Sequence, residues 1–112
     1  MLEDSILARV LEVLDEMKAE DVKVFEVAPT FPFADYFVIA TALSKPHIKA
    51  IDDKIWEKMK EFVKGEDGGP ESGWMIIDVA GIWIHLFLDE VRKQYALEDL
   101  WSSEWDKVKE LQ

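Results

Sequence analysis

The side chains with the greatest chemical potential here are few. The chain has 112 residues, two histidines (His47 and His85) and no cysteine. Without Cys there is no thiolate nucleophile, no disulfide framework and no thiolate metal site. His85 shares a stretch with Asp78, and a general-base dyad of that kind would need a nucleophile beside it. Ser44, Ser72, Thr41 and Thr30 supply hydroxyls, but no spacing singles one out. His85 therefore reads as structural or interfacial, and His47, in the first turn of a helix, as a surface residue. The carboxylate pairs Asp52-Asp53 and Glu98-Asp99 do not make metal sites, because adjacent helical residues do not share a face. The glycines between Gly65 and Gly73 lack the Lys-Ser/Thr and the leading strand of a phosphate loop. The expectation is a protein without catalytic residues, cofactor or metal.

The elements that position these groups follow from hydrophobic periodicity. Ile6, Leu7, Val10, Leu11, Leu14 and Met17 mark one face of a helix within residues 3–20. Residues 22–27 have strand composition, closed by Pro29 and Pro32. Residues 36–41 form a continuous apolar run, which predicts a central strand covered on both faces. Ser44 before Lys45-Pro46 is a helix start, since its hydroxyl can cap a free N–H and Pro fits the first turn. Ile48, Ile51, Ile55, Met59 and Phe62 carry that helix to about residue 64. Residues 65–73 read as a mobile connection. Two strands, 74–79 and 82–88, are linked only by Ala80-Gly81, which favours an antiparallel hairpin. Asp89 caps a short helix through Tyr95, and Trp105, Val108 and Leu111 are spaced like one or two further helical turns. The resulting order is α-β-β-α-β-β-α, an α+β mixed sheet with helices packed on it. It is read as one domain over residues 1–102 with a helical extension at 103–112.

If Val79 pairs with Ile82, the hairpin sorts its side chains cleanly. Met75, Ile77, Val79, Ile82, Ile84 and Leu86 form a wholly aliphatic face belonging to the core. Trp74, Ile76, Asp78, Trp83, His85 and Phe87 form the other, mixing aromatics with a carboxylate and an imidazole. Such a mixture has the composition of interface hot spots. It equally suits a face covered by a helix, with the tryptophans filling volume.

The formal charge is −11, from 13 Lys plus Arg and 24 Asp plus Glu. That balance argues against autonomous nucleic-acid binding and against docking on anionic membranes. It allows a basic protein partner, or simply solubility. At 49% hydrophobic and 12% aromatic the chain is a packed domain rather than a disordered acidic tail. The first residues lack the basic region of a signal peptide and no apolar stretch spans a bilayer, so a cytoplasmic protein is expected.

Two blocks carry a resemblance. The first is Phe33-Ala34-Asp35-Tyr36-Phe37-Val38-Ile39-Ala40-Thr41, followed by Ser44, His47 and Ala50-Ile51. The second is Gly73-Trp74-Met75-Ile76-Ile77-Asp78, then Ile84-His85-Leu86-Phe87, Arg92, Tyr95, Leu97-Glu98 and Leu100-Trp101. Over roughly residues 3–102 the sequence resembles the Iojap family of ribosomal silencing factors. The resemblance implies a nucleotidyltransferase-like fold without that superfamily's catalytic residues. It further implies binding to a basic protein, large-subunit protein fourteen, on the intersubunit face of the large ribosomal subunit. That binding would block joining of the small subunit and repress translation. Trp74 matches a partner-contacting tryptophan of the family and is placed at the centre of the interface. Ile76, His85 and Phe87 flank it, Tyr95, Leu97 and Trp101 extend it, and Glu98 and Asp99 offer charge. Ala42 stands where the family usually has Gly, and Ala80-Gly81 where it has Gly-Asp. The family also has a further strand before Trp74. The segment Gly65–Gly73 reads as too short and glycine-rich to supply it, so that sheet edge is expected to be missing or remodelled. Two alternatives stand beside this reading: a nucleotide-binding or nucleotidyl-transfer protein of the same fold, and a homodimeric scaffold using the aromatic hairpin on itself.

Overall fold

The computed structural model describes residues 2–28, 32–95 and 109–110. Leu97, Glu98, Asp99, Trp101 and Trp105 lie outside the described residues, as do Pro29 and Thr30. The elements in chain order are α1 (Leu2–Glu16), β1 (Glu20–Glu26), β2 (Tyr36–Ala42), α2 (Lys45–Met59), β3 (Val63–Gly69), β4 (Trp74–Val79), β5 (Ile82–Leu88), α3 (Asp89–Tyr95) and β6 (Lys109–Glu110). They build an α+β fold on one mixed sheet of order β3-β4-β5-β2-β1-β6. Among the described residues only the central β2–β5 pair is parallel.

The amphipathic periodicity of α1 and α2 sets the main core. Ile6, Val10, Val13 and Leu14 of α1, with Ile48, Ile51, Ile55 and Met59 of α2, are buried against the aliphatic face of β4 and β5. Each such side chain stabilises the fold by roughly 1.5–3 kcal/mol relative to exposure. α1 stops where Lys18 turns left-handed (φ 61), with Ala19 N–H reaching Leu14 O at 2.9 Å. This is the 6→1 bond of a Schellman cap, here without the usual glycine. α2 starts where Ser44 Oγ accepts the His47 N–H at 3.2 Å, with Pro46 in the first turn. The buried residues of β2 alternate between two clusters. Val38, Ala40 and Ala42 face the helices, while Phe37 and Ile39 join Phe25, Val27, Ala34 and Phe87 on the opposite side. β2 is therefore a strand covered on both faces, as its unbroken apolar run implies.

The hairpin register is Trp74↔Phe87 through Val79↔Ile82. Ala80 (φ 52) and Gly81 (φ 88) are both left-handed, the backbone that a two-residue type I′ turn requires. Asp78 Oδ1 accepts the Gly81 N–H at 3.1 Å and so belongs to this turn.

Two segments depart from the sequence reading. Residues 63–69 are not a mobile connection: they form β3, antiparallel to β4 from Val63↔Val79 to Gly69↔Trp74. The edge strand before Trp74 is thus present. Glycine hides it because backbone hydrogen bonds, rather than side-chain burial, hold it on the sheet. At the other end Lys109–Glu110 are a strand on Phe25 and Glu26, where helical spacing suggested further turns. No helix among the described residues is long and apolar enough to cross a membrane.

Candidate protein-interaction face

Three strands and one short helix shape the face that carries Trp74. α3 is moored by Arg92, which is almost wholly buried. Its Nη1 donates to Asp21 O and to Thr41 Oγ1, both at 2.8 Å, and its Nη2 lies 3.6 Å from Asp21 Oδ2. This mooring fixes α3 across the ends of β1 and β2 and sets Tyr95 against Trp74, with ring centroids 4.8 Å apart. Trp74 stacks on Phe87 at 4.9 Å, and its indole N–H donates to His85 Nδ1 at 3.2 Å. Phe37 stacks on Trp83 at 5.8 Å farther along the same side.

Two adjoining hollows open on this face. One of about 250 Å³ is lined by Asp67, Gly68, Ser72, Trp74, Ile76, Val91 and Tyr95. The other, about 210 Å³, is lined by Gly65, Glu66, Asp67, Ile76, Asp78 and Trp83. Shared residues Asp67 and Ile76 join them into one shallow groove along β3, β4 and β5. The groove mixes aromatic walls with two carboxylates, Asp67 and Asp78, and no Lys or Arg among the described residues lines it. Gly68 matters to its shape: its φ is +71, and a Cβ there would collide with the Trp74 carbonyl oxygen.

The predicted site residues fall into three groups. Trp74 and Ile76 are half-buried at the surface and Tyr95 is 54% exposed, so these three form the accessible layer. His85 and Phe87 are 3% and 0% exposed. They lie beneath Trp74 and support the face instead of presenting themselves on it. Leu97, Glu98, Asp99 and Trp101 lie outside the described residues. Asp67 and Trp83 line the groove without having been singled out. Asp67 was hidden by the glycines around it, whereas the hairpin register already placed Trp83 on this side.

The groups considered for chemistry have other tasks. Ser44 Oγ caps α2, Thr41 Oγ1 holds Arg92, and Ser72 Oγ contacts Gly69 O and Trp74 O at 2.9 Å each. His47 is not a surface residue: it is half-buried, accepts the Leu43 N–H at Nδ1 (2.9 Å) and meets Met17 O through Nε2 (2.7 Å). It ties the end of α1 to the start of α2. Burial pushes the His85 imidazole down to about 3, so it is neutral throughout the physiological range. On the opposite side of the sheet Asp52 is buried in α2. Desolvation first, and a hydrogen bond with Glu66 of β3 second, push its carboxyl up to about 7. Glu66 also accepts the Trp56 indole N–H. This group clips β3 to α2, with the Glu66 carboxylate on the side of the sheet opposite the groove's aromatic wall.

The model of the family described as ribosomal silencing factor during starvation matches residues 3–112. The chain belongs to the ribosomal silencing factor family. The match takes in the residues beyond 102 that the two sequence blocks left out. A ribosomal silencing factor of Zymomonas mobilis is 33% identical over 101 residues, covering 88% of this chain and 76% of that protein. One from Bacillus subtilis is 31% identical, covering 90% and 88%. The chloroplastic Iojap protein of Arabidopsis thaliana is 38% identical over 82% of this chain and 40% of its own length. In fold the chain is similar to a crystal structure from Bacillus halodurans (TM-score 0.76, 26% identity, 88% and 94% covered). It is also similar to one from Chromobacterium violaceum (TM-score 0.81, 23% identity, 93% and 89% covered).

Proposed function

We propose that this chain silences ribosomes by binding: it docks its Trp74 face on a basic protein of the large subunit and thereby obstructs the small subunit. Family membership over residues 3–112 supports a ribosome-associated role in repressing translation. The observation that carries the partner assignment is the groove, where aromatic walls and two carboxylates, Asp67 and Asp78, meet without a lining cation among the described residues. Aromatic side chains give a partner large desolvated contacts, and the acids select for positive charge. Large-subunit protein fourteen, the partner implied by the Iojap resemblance, has the required sign. The contact layer is Trp74, Ile76 and Tyr95, with His85 and Phe87 beneath it; a part for Leu97, Glu98, Asp99 and Trp101, outside the described residues, rests on the Iojap resemblance alone. The mechanism is steric, so its control variable is occupancy of the subunit and not turnover. It needs no cofactor and operates in the cytoplasm.

The test is a binding titration against purified large subunits and against isolated protein fourteen. Saturable binding to both, weakened as salt rises, is expected. Absence of binding to either would remove the assignment.

A further inference from the structure

We propose that His85 is the positioning residue of the interaction face, fixing the Trp74 indole by accepting its N–H at Nδ1. The inference rests on the functional reading above for its effect on binding, though not for the bond itself. The two residues are diagonal neighbours across the hairpin. Trp74 pairs with Phe87, and His85 lies two residues back along β5, opposite Ile76. The indole is thereby held on three sides. Phe87 stacks on it at 4.9 Å, Tyr95 tilts onto it at 4.8 Å, and His85 Nδ1 takes its N–H at 3.2 Å.

Hydrogen-bond chemistry decides the state of the imidazole. An indole N–H can only donate, so Nδ1 must present its lone pair and the proton sits on Nε2. That Nε2 is buried and has no hydrogen-bond partner among the described residues. An apolar ring would fill the same space without stranding a polar atom, so packing does not call for histidine here. The lone pair offered to Trp74 does. The side chains in ring contact with His85 are Phe37, Trp74 and Phe87, none of which carries charge. Burial accordingly keeps the imidazole neutral, and the acceptor persists across the physiological range. A tryptophan already held in one orientation loses less freedom when a partner closes over it. His85 therefore acts on affinity through Trp74 without touching the partner.

The experiment uses the full chain labelled with ¹⁵N. In the wild type, long-range imidazole correlations should show the Nε2–H tautomer of His85, unchanged between pH 5 and 8. An Nδ1–H tautomer would overturn the proposal, and this reading does not depend on any variant folding. The Trp74 indole proton, assigned by its loss in Trp74→Phe, should move upfield and exchange faster in His85→Phe. It should recover in part in His85→Gln, whose amide oxygen can accept. Affinity for large subunits should fall about tenfold in His85→Phe and follow the same order of recovery. An unmoved indole proton in His85→Phe, or a displaced one with unchanged affinity, would refute the positioning role. If instead Trp74→Ala binds subunits as well as wild type, the interaction-face reading fails while the tautomer result still judges the bond.

Discussion

Trp74 is the residue on which the proposed interaction face turns, because its indole is at once half-exposed and held by Phe87, Tyr95 and His85. Truncating such an anchor typically costs ~2–4 kcal/mol of binding. Trp74→Ala should therefore weaken large-subunit binding by roughly 30- to 1,000-fold in a titration. A retained circular dichroism spectrum would show that the loss belongs to the contact. Asp67 sits at the junction of the two hollows, exposed to solvent. Rim charges act mainly on encounter and its salt dependence. Asp67→Lys should slow association and flatten its dependence on salt in stopped-flow measurements, and an unaltered rate would exclude Asp67 from the partner's path. Trp74 and Ile76 were legible from the sequence, since a two-residue link leaves only one pairing and alternation then assigns every side chain to a face. The burial of His85 and Phe87 was not legible. It depends on where α3 lies, and that is set by Arg92 bonding to Asp21 and Thr41, 71 and 51 residues away.

Among the elements, β3 joins the core to the groove. On its core side Glu66 reaches Asp52 and Trp56 of α2, and on its groove side it supplies Asp67. Burial and Glu66 raise the Asp52 carboxyl from 3.8 to about 7 in the folded state. Between those values the folded protein holds more protons than the unfolded chain, so stability falls as pH rises. The contribution is complete below about pH 4 and is lost as pH passes through about 7. Urea unfolding at pH 5, 7 and 9 should show this decline, and Asp52→Asn should flatten it and be the more stable protein at pH 9. A wild type equally stable at pH 5 and 9 would contradict the shared-proton arrangement. Gly68→Ala tests the same strand from its backbone. A left-handed φ of +71 and a Cβ directed at the Trp74 carbonyl should cost about 1–3 kcal/mol in urea unfolding. Most elements announce themselves through side-chain period: Ile48, Ile51, Ile55 and Met59 trace α2 well. β3 escapes because Gly65, Gly68 and Gly69 carry no side chains to show a period, and its evidence lies in hydrogen bonds to β4 that only the assembled sheet reveals.

At the scale of the whole molecule, charge and shape point to the same kind of partner. A net −11 steers encounter with a basic surface over distances of about a Debye length, ~8 Å at physiological salt. The sheet assigns its two sides different work. α1 and α2 seal the aliphatic side, while among the described residues α3 covers only part of the other and leaves the Trp74 groove accessible. The resemblance to silencing factors was carried by two sequence blocks, and membership across residues 3–112 agrees with it. The central claim is that occupancy of the large subunit by this face prevents subunit joining. The most direct measurement is a sucrose-gradient assay in which large subunits are loaded with wild type or Trp74→Ala and then challenged with small subunits. The account predicts that wild type holds the subunits apart in proportion to its occupancy, while Trp74→Ala at the same concentration lets them join. Full joining with wild type bound, or equal inhibition by both proteins, would contradict it.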